Sequence, residues 1–194
     1  MAVKAVVFDV GETLVDETGM WERAADAAGV PRFTLMGVLG GLAARGEHHS
    51  KVWSILGVEW PASTWAAVDF YPDALPCLTR LRSSGLRVGA AGNVPLGSEA
   101  PLREHVDVLG SSGLWGVEKP ASGFFDRLVA ETGLEAEEIA YVGDRVDNDV
   151  QPSLAAGMVA VHIRRGPWGL LHEAPSAAIR IDSLAELPEA LDAV

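Results

Sequence analysis

Carboxylates follow two apolar runs that lie far apart in the sequence. Asp9 ends the run Ala5 to Phe8, and Asp144 follows Ile139 to Gly143, with Asp149 five positions further on. Three carboxylates packed together are unfavourable unless a cation neutralises them, and Mg²⁺ is the hard divalent ion that prefers such oxygen ligands. The alternatives are a solvated acidic loop and, for Asp9, a simple helix cap.

Lys119 is a candidate counter-charge, because the chain contains only three lysines. It stands in Glu118-Lys119-Pro120, where the proline fixes a turn just before a predicted helix. A lysine at that point would neutralise Asp9 or a substrate phosphate as a point charge. A solvated surface lysine is the alternative interpretation.

Strands alternate with helices along most of the chain, which predicts an α/β fold with a parallel sheet covered on both faces. Three of the predicted strands end in Asp9, Gly92-Asn93 and Gly143-Asp144, and these turns would meet at one edge of the sheet. The predicted strands are 5–8, 86–91, 139–143, 159–163 and 179–181. A helix-like segment and a short apolar element at 106–110 follow the second strand, and the predicted helices are 74–83, 124–132, 152–156 and 184–191.

Residues 17–70 have helix-like periodicity and contain Trp53, Trp60 and Trp65, three of the six tryptophans. We expect a helical insertion whose aromatic side chains pack against each other and the main domain, rather than a binding cage. The adjacent pair His48-His49 has no metal-binding spacing and predicts surface histidines.

The composition limits the classes of partner. A net charge of −12 argues against nucleic acid or an anionic membrane surface as the main partner, but not against a phosphorylated small molecule. The single Cys77 excludes an intramolecular disulfide and makes the cytoplasm the default expectation. No run is long enough to span a bilayer, and nothing in the chain predicts its oligomeric state.

Four motifs together resemble the haloacid dehalogenase-like (HAD) hydrolase superfamily. They are the stretch from Phe8 to Asp16, Ala91-Gly92-Asn93, Glu118-Lys119-Pro120, and Val142-Gly143-Asp144 with Asn148-Asp149. The resemblance implies a Rossmann-like core of residues 1–16 and 71–194 with a small α-helical cap at 17–70.

The resemblance also implies a mechanism. Asp9 would attack phosphorus of a small phosphorylated metabolite and form an aspartyl-phosphate, which water then hydrolyses. Mg²⁺ would bind Asp9, the backbone carbonyl of Gly11 and Asp144, with Asp149 supporting it directly or through water. Lys119 would hold both Asp9 and the phosphoryl group.

Two positions depart from the family pattern. Gly11 replaces the aspartate that usually serves as general acid and base, a function worth roughly 10²–10⁴-fold in rate. Either Glu12 or a cap residue would substitute for it, or the leaving group would need no acid, or the catalyst would be weak. Gly92 replaces the usual Ser or Thr, so backbone N–H groups and the Asn93 amide would bind the phosphoryl oxygens instead.

Other functions remain open. A 2-haloacid dehalogenase needs no leaving-group acid but generally lacks the carboxylate that Asp144 supplies. A phosphonate hydrolase would need a Schiff-base lysine, for which Lys51 is the candidate in the cap region. A catalytically weakened HAD-fold protein that binds a ligand or partner is the alternative from another class. Asp16 and the Arg164-Arg165 pair are expected to have structural roles.

Overall fold

The structure is a computed structural model that describes residues 2–193. Its centre is one six-stranded sheet in which every pairing is parallel, as the alternation of elements predicts. The strands are β1 (Ala5–Phe8), β2 (Arg87–Gly92), β3 (Val108–Ser111), β4 (Ile139–Gly143), β5 (Val159–Ile163) and β6 (Ile179–Ile181). Their order across the sheet is β3-β2-β1-β4-β5-β6, so β1 lies between β2 and β4.

Helices connect and cover the strands. The α-helices are α1 (Thr18–Ala27), α2 (Arg32–Ala44), α3 (Lys51–Leu56), α4 (Ala74–Ser83), α5 (Ser112–Trp115), α6 (Ser122–Thr132), α7 (Gln151–Ala155), α8 (Gly166–Leu171) and α9 (Leu187–Asp192). A π-helical turn, Val146–Val150, precedes α7, and the predicted helix near the C-terminus is a 3₁₀ turn, Leu184–Glu186, followed by α9. The short helix α8 follows β5 in a region for which the sequence predicts no helix.

The alternation of side chains along β1 explains how the sheet is buried on both faces. Val6 and Phe8 belong to one hydrophobic cluster, while Val7 belongs to another that includes Phe124 and Phe125 of α6. Successive residues of a strand point to opposite faces, and all four residues of β1 are buried. The strand that ends at Asp9 is therefore held firmly from both sides.

A third hydrophobic cluster joins α1, α2 and α3. It contains Trp21 and Trp53 and also Trp168 of α8, so these helices pack on the C-terminal part of the chain as well as on each other. The helix-like periodicity of residues 17–70 is interrupted in the sequence at Gly29-Val30-Pro31, in the glycine-rich stretch 37–41 and at Trp60-Pro61. The structure has no regular helix over 57–66, around the last of these breaks, whereas α2 continues through 37–41. The division into a core and a cap stays a prediction.

Within residues 2–193, no helix combines the length and apolar character that crossing a membrane requires.

Candidate active site

The ends of β1 and β4 bring three predicted site residues together. Asp9 directly follows β1, Asp144 directly follows β4, and Asp149 lies in the π-helical turn beyond it. One carboxylate oxygen from each lies within 4.8 Å of the others, and all three residues are buried. The edge of the sheet therefore carries the acidic cluster that the sequence predicts.

Lys119 lies inside this cluster. Its Nζ is 2.7 Å from Asp9 Oδ1 and 2.5 Å from Asp149 Oδ1. The side chains of Lys119 and Asp149 are 0% exposed, whereas that of Asp9 is 12% exposed. Burial lowers the pKa of Lys119, but the charges of Asp149 and Asp9 outweigh this effect and raise the pKa well above its ordinary value, so the ammonium stays charged.

The negative charges of the cluster are only partly neutralised. Burial, with the charges of Asp149 and Asp9, raises the pKa of Asp144 well above its ordinary value. Burial also raises the pKa of Asp149 to about 6, although Lys119 opposes the shift. One ammonium offsets one of three carboxylates, so the raised pKa values of Asp144 and Asp149 reflect burial first and the remaining repulsion second.

Contacts near the end of β4 hold the carboxylate of Asp149 and the backbone of Asp144. The Arg145 N–H donates to Asp149 Oδ2 at 2.9 Å. A Cβ atom on Gly143 would lie 2.5 Å from the Asp149 Cβ, so a glycine is required there for the turn to fold back. The backbone carbonyl of Asp144 is 3.0 Å from Nε2 of the buried His162 on β5.

Gly92 and Asn93 lie beside the nucleophile candidate at the end of β2. A Cβ atom on Gly92 would come 2.5 Å from Asp9 Oδ1, which explains why no larger residue stands there. The Asn93 amide donates from Nδ2 to the Lys119 carbonyl at 2.9 Å, and its Oδ1 accepts from the Lys119 N–H at 2.8 Å. Asn93 therefore positions Lys119, and its predicted contact with a phosphoryl oxygen stays a prediction.

Glu17, which the sequence does not single out, lies next to Gly11. A Cβ atom on Gly11 would overlap Glu17 Oε1 and lie 2.8 Å from Glu17 Cδ. Burial raises the pKa of the Glu17 carboxyl to about 8, and the charge of Glu12 adds to the shift. The only signal in the sequence is its place before the first predicted helix, where an acidic residue is ordinary.

Glu12 has both carboxylate oxygens engaged by the protein. Oε1 accepts from the Glu17 N–H at 3.1 Å, and Oε2 accepts from the Tyr71 hydroxyl at 2.7 Å. Its backbone is left-handed, with a φ of 51°, which is uncommon for a residue other than glycine. A Cβ atom on Gly166 would lie 2.7 Å from the Glu12 Cγ, so the carboxylate is enclosed on that side as well.

A cavity of about 340 Å³ opens onto the acidic cluster. Asp9, Asp144 and Lys119 line it, and a larger cavity of about 790 Å³ is lined by Trp21, Trp60 and Trp65. Glu17 lines both cavities. Further residues shared by the two cavities are Trp21, His48, His49, Asn93 and Val94.

The expectation of surface histidines holds for His48 and not for His49. His48 is exposed, whereas His49 is half-buried, with its ring centroid 5.7 Å from that of Trp21 and 6.3 Å from that of Trp168. Burial lowers the pKa of His49 to about 3. Lys51 lies on the surface, 56% exposed, and its Nζ is 2.9 Å from Glu47.

Trp53, Trp60 and Trp65 pack against other aromatic rings but do not form one group. Trp53 packs with Trp60, their ring centroids 6.3 Å apart, whereas Trp65 packs with Phe70. Trp60 is nevertheless 56% exposed. This exposed tryptophan stands on the wall of the larger cavity.

The residues with predicted structural roles make structural contacts. Asp16 Oδ1 accepts from the Thr18 N–H at 2.9 Å, at the start of α1. Arg165 donates to the Thr13 carbonyl at 3.0 Å and pairs with Asp73 at 2.5 Å. Arg165 thereby ties the loop after β1 to the start of α4.

Curated relatives of this chain are phosphatases by name. Over 120 residues it is 35% identical to glyceraldehyde 3-phosphate phosphatase of Methanopyrus kandleri, covering 57% of this chain and 50% of that protein. Over 131 residues it is 36% identical to phosphoserine phosphatase of Thermus thermophilus, covering 62% of this chain and 51% of that protein. The chain thus spans about half the length of these two relatives.

The fold is also found in a solved dehalogenase. L-2-haloacid dehalogenase from Xanthobacter autotrophicus superposes with a TM-score of 0.69 at 18% identity, covering 98% of each chain. At that identity the likeness concerns the fold alone. The model of the haloacid dehalogenase-like hydrolase family matches residues 3–157, which include Asp9, Lys119, Asp144 and Asp149. With its parallel sheet, its acidic cluster and this match over most of its length, the chain belongs to the haloacid dehalogenase-like hydrolases.

Proposed function

We propose that this protein is a Mg²⁺-dependent phosphatase that hydrolyses a small phosphorylated metabolite through an aspartyl-phosphate on Asp9. The observation that carries the proposal is the buried cluster of Asp9, Asp144 and Asp149 around a single lysine. A reaction at a phosphate needs a nucleophile together with charge that offsets the phosphoryl oxygens, and this cluster provides for both.

The residues present fit a hard divalent cation. Three buried carboxylates with one ammonium leave excess negative charge, and the oxygen-only donor set suits Mg²⁺. Asp9, Asp144 and Asp149 would hold the ion. When bound, it would supply positive charge beside the phosphoryl oxygens and lower the barrier for attack by an anionic nucleophile. The Gly11 backbone carbonyl stays the further ligand that the resemblance implies.

Asp9 is the carboxylate of the cluster best placed to attack. Its side chain is 12% exposed, whereas those of Lys119 and Asp149 are 0% exposed. Its Oδ1 is held by Lys119, which fixes the orientation of the carboxylate and leaves Oδ2 for bond formation. Attack on phosphorus converts the ester to an aspartyl-phosphate, and water then releases phosphate and restores Asp9.

Lys119 has two further tasks. As a buried cation it offsets the charge of Asp9 before attack, and it faces the phosphoryl group that Asp9 carries afterwards. Its ring contacts, with Nζ 5.4 Å from the Tyr141 ring centroid and 5.8 Å from that of Phe124, keep the ammonium away from bulk solvent. Together with the Asn93 hydrogen bonds they hold it in one place.

The two alternative hydrolase activities have less support. Displacement of halide needs a nucleophile but no metal, so Asp144 and Asp149 would add repulsion without a purpose. For a phosphonate hydrolase, Lys51 would have to reach the reacting centre, yet it is exposed and paired with Glu47. A small phosphorylated metabolite, the class of substrate in the names of the two relatives, remains the better candidate.

A substrate panel with Mg²⁺ tests the proposal. We would assay phosphate release from alkyl phosphates, aryl phosphates and acetyl phosphate, with glyceraldehyde 3-phosphate and phosphoserine included. Asp9→Asn should fold normally and lose roughly 10⁴-fold or more in kcat, because an amide is not a nucleophile. Turnover on no member of the panel, together with ligand binding, would favour the binding-protein alternative. Halide release from 2-haloacids in chelator would favour the dehalogenase.

A further inference from the structure

The carboxyl group of Glu17 fills the space beside the backbone of Gly11. A Cβ atom on Gly11 would overlap Oε1 of Glu17, so the two positions compete for one volume. Glu17 is the N-cap residue of α1, and it reaches this volume from the start of the helical segment. The carboxyl group of Glu17 therefore occupies the space that a side chain at position 11 would fill.

The proposed reaction needs a proton at this side of the site. When Asp9 attacks phosphorus, the bond to the leaving oxygen breaks and its electron pair stays on that oxygen. An alkoxide is strongly basic, so a donor within hydrogen-bond reach lowers the barrier. Of the other carboxyl groups that line the cavity, Asp9 and Asp144 belong to the acidic cluster. Both oxygens of Glu12 accept hydrogen bonds from the protein, and Asp16 accepts one from the Thr18 N–H at the start of α1.

We propose that Glu17 is the proton donor to the leaving oxygen, in place of a side chain at position 11. The proposal rests on the proposed phosphatase function. In the first step the Glu17 carboxyl proton passes to the leaving oxygen as the P–O bond breaks. In the second step the Glu17 carboxylate takes a proton from the water that attacks the phosphorus of the aspartyl-phosphate, which releases phosphate and regenerates both Asp9 and the Glu17 acid.

The contacts of Glu17 leave one oxygen for this role. Oε2 accepts from the Trp21 indole N–H at 3.3 Å, while Oε1 is the oxygen against Gly11. The Trp21 bond orients the carboxyl group, and the Glu17 side chain lines the same cavity as Asp9 and Lys119. Glutamine in its place keeps the shape and the bond to Trp21 but loses the acidic proton.

The dependence of rate on the leaving group tests the proposal. Glu17→Gln is compared with the unaltered protein on phenyl phosphate, whose leaving group needs a proton, and on 4-nitrophenyl phosphate, whose leaving group departs more easily as an anion. In Glu17→Gln we expect kcat/KM on phenyl phosphate to fall by roughly 10²-fold or more. The decrease in kcat/KM on 4-nitrophenyl phosphate should be smaller by a factor of about ten or more. Acid quenching with ³²P-labelled 4-nitrophenyl phosphate should also trap more phosphoenzyme in Glu17→Gln.

Two controls separate this role from a structural one. Asp16→Asn changes the neighbouring carboxylate, which also lines the cavity, and should leave the ratio of the two kcat/KM values unchanged. Glu12→Gln tests the competing carboxyl group. Equal losses on both substrates in Glu17→Gln, or a changed ratio in Glu12→Gln alone, would overturn the assignment. If the unaltered protein turns over no phosphate ester, the proposed function itself has failed.

A swap of the two positions gives a second test. Gly11→Asp alone places two carboxyl groups in one volume and should lower kcat/KM on phenyl phosphate. Gly11→Asp combined with Glu17→Gly moves the carboxyl group to position 11. The kcat/KM of this double variant on phenyl phosphate should be about tenfold or more above that of Glu17→Gly alone. A double variant no more active than Glu17→Gly, although folded, would count against the proposal.

Discussion

Asn93 and Lys119 are joined by a pair of hydrogen bonds that run in opposite directions. The amide Nδ2 donates to the Lys119 carbonyl at 2.9 Å, and Oδ1 accepts from the Lys119 N–H at 2.8 Å. The end of β2 thereby fixes the backbone of a loop that is 26 residues away in the sequence. These two hydrogen bonds therefore hold the backbone of Lys119 beside Asp9, where its ammonium group is buried.

Replacing Asn93 by aspartate should weaken this anchor. An oxygen in place of the Nδ2 donor would face the Lys119 carbonyl, and leaving that buried acceptor unsatisfied costs about 1–3 kcal/mol. We expect Asn93→Asp to lower the free energy of urea unfolding by this amount and to lower kcat more than it raises KM. Ser98→Ala, on the wall of the larger cavity, serves as the control. Unaltered stability and kcat would show that the anchor is dispensable.

Removing the charge of Lys119 should be costly for the fold. Lys119→Met leaves the buried carboxylates of Asp9 and Asp149 without their cation, and breaking a buried pair in this way costs roughly 3–5 kcal/mol. Urea unfolding in chelator at pH 7 measures the loss, which should shrink at lower pH as Asp149, whose pKa burial raises, takes up a proton.

Lys51→Met is the matched control for Lys119→Met. Lys51 is 56% exposed and pairs with Glu47 on the surface, where an ion pair contributes at most about 1 kcal/mol. Similar losses for the two variants would contradict the idea that the buried cluster depends on Lys119.

Mg²⁺ should raise the melting temperature through the acidic cluster. A ligand that binds only the folded state at about 100 times its Kd stabilises by about 2.7 kcal/mol. In thermal unfolding, Asp144→Asn should abolish the increase caused by Mg²⁺, because it removes one carboxylate from the site. Asp147→Asn is the control, since Asp147 is partly exposed and pairs with Arg145. An undiminished Mg²⁺ effect in Asp144→Asn would place the ion elsewhere.

His49 should make the fold sensitive to mild acid. Its pKa is lowered from 6.5 to about 3, so between these values the unfolded chain binds a proton that the folded chain does not. Stability from this group is therefore complete above pH 6.5 and is lost as the pH falls toward 3. His49→Phe keeps an aromatic ring and cannot titrate. The free energy of unfolding of His49→Phe, relative to that of the unaltered protein, should therefore be about 1–2 kcal/mol higher at pH 5 than at pH 7.5.

His105→Phe controls for the loss of one histidine. His105 packs edge-to-face against Phe70 and does not contact the rings around His49. A parallel change in the two variants would show that His49 is not the acid-sensitive group.

Much of the fold follows from local patterns in the sequence. The runs that end at Asp9 and Asp144 are short, apolar and followed by tight turns, and such runs are typical of buried parallel strands. Because the carboxyl ends of parallel strands meet at one edge, the order of the elements is enough to predict that these two residues lie close together. Lys119 is a predictable counter-charge for a related reason, since it is one of three lysines in the chain and stands in a turn before a predicted helix.

The remaining features depend on long-range packing. Glu17 reaches the space beside Gly11 because of how the chain turns after β1, and spacing alone gives no measure of that turn. His49 is half-buried because Trp168, more than a hundred residues later, packs against it. Neither contact leaves a local pattern, so the sequence does not single out Glu17 and predicts that His49 is a surface histidine.

The position of α8 has a consequence for building chimeras in this family. The matched family region ends at residue 157, yet α8 lies beyond it and lines the site cavity with Gly166, Pro167 and Trp168. A Cβ atom on Gly169 would lie 3.3 Å from that of Asp144 and 2.9 Å from the carbonyl oxygen of Ile163. A hybrid that joins residues 3–157 to a foreign C-terminal segment would therefore need glycine at positions 166 and 169, or the grafted side chains would displace Glu12 and Asp144.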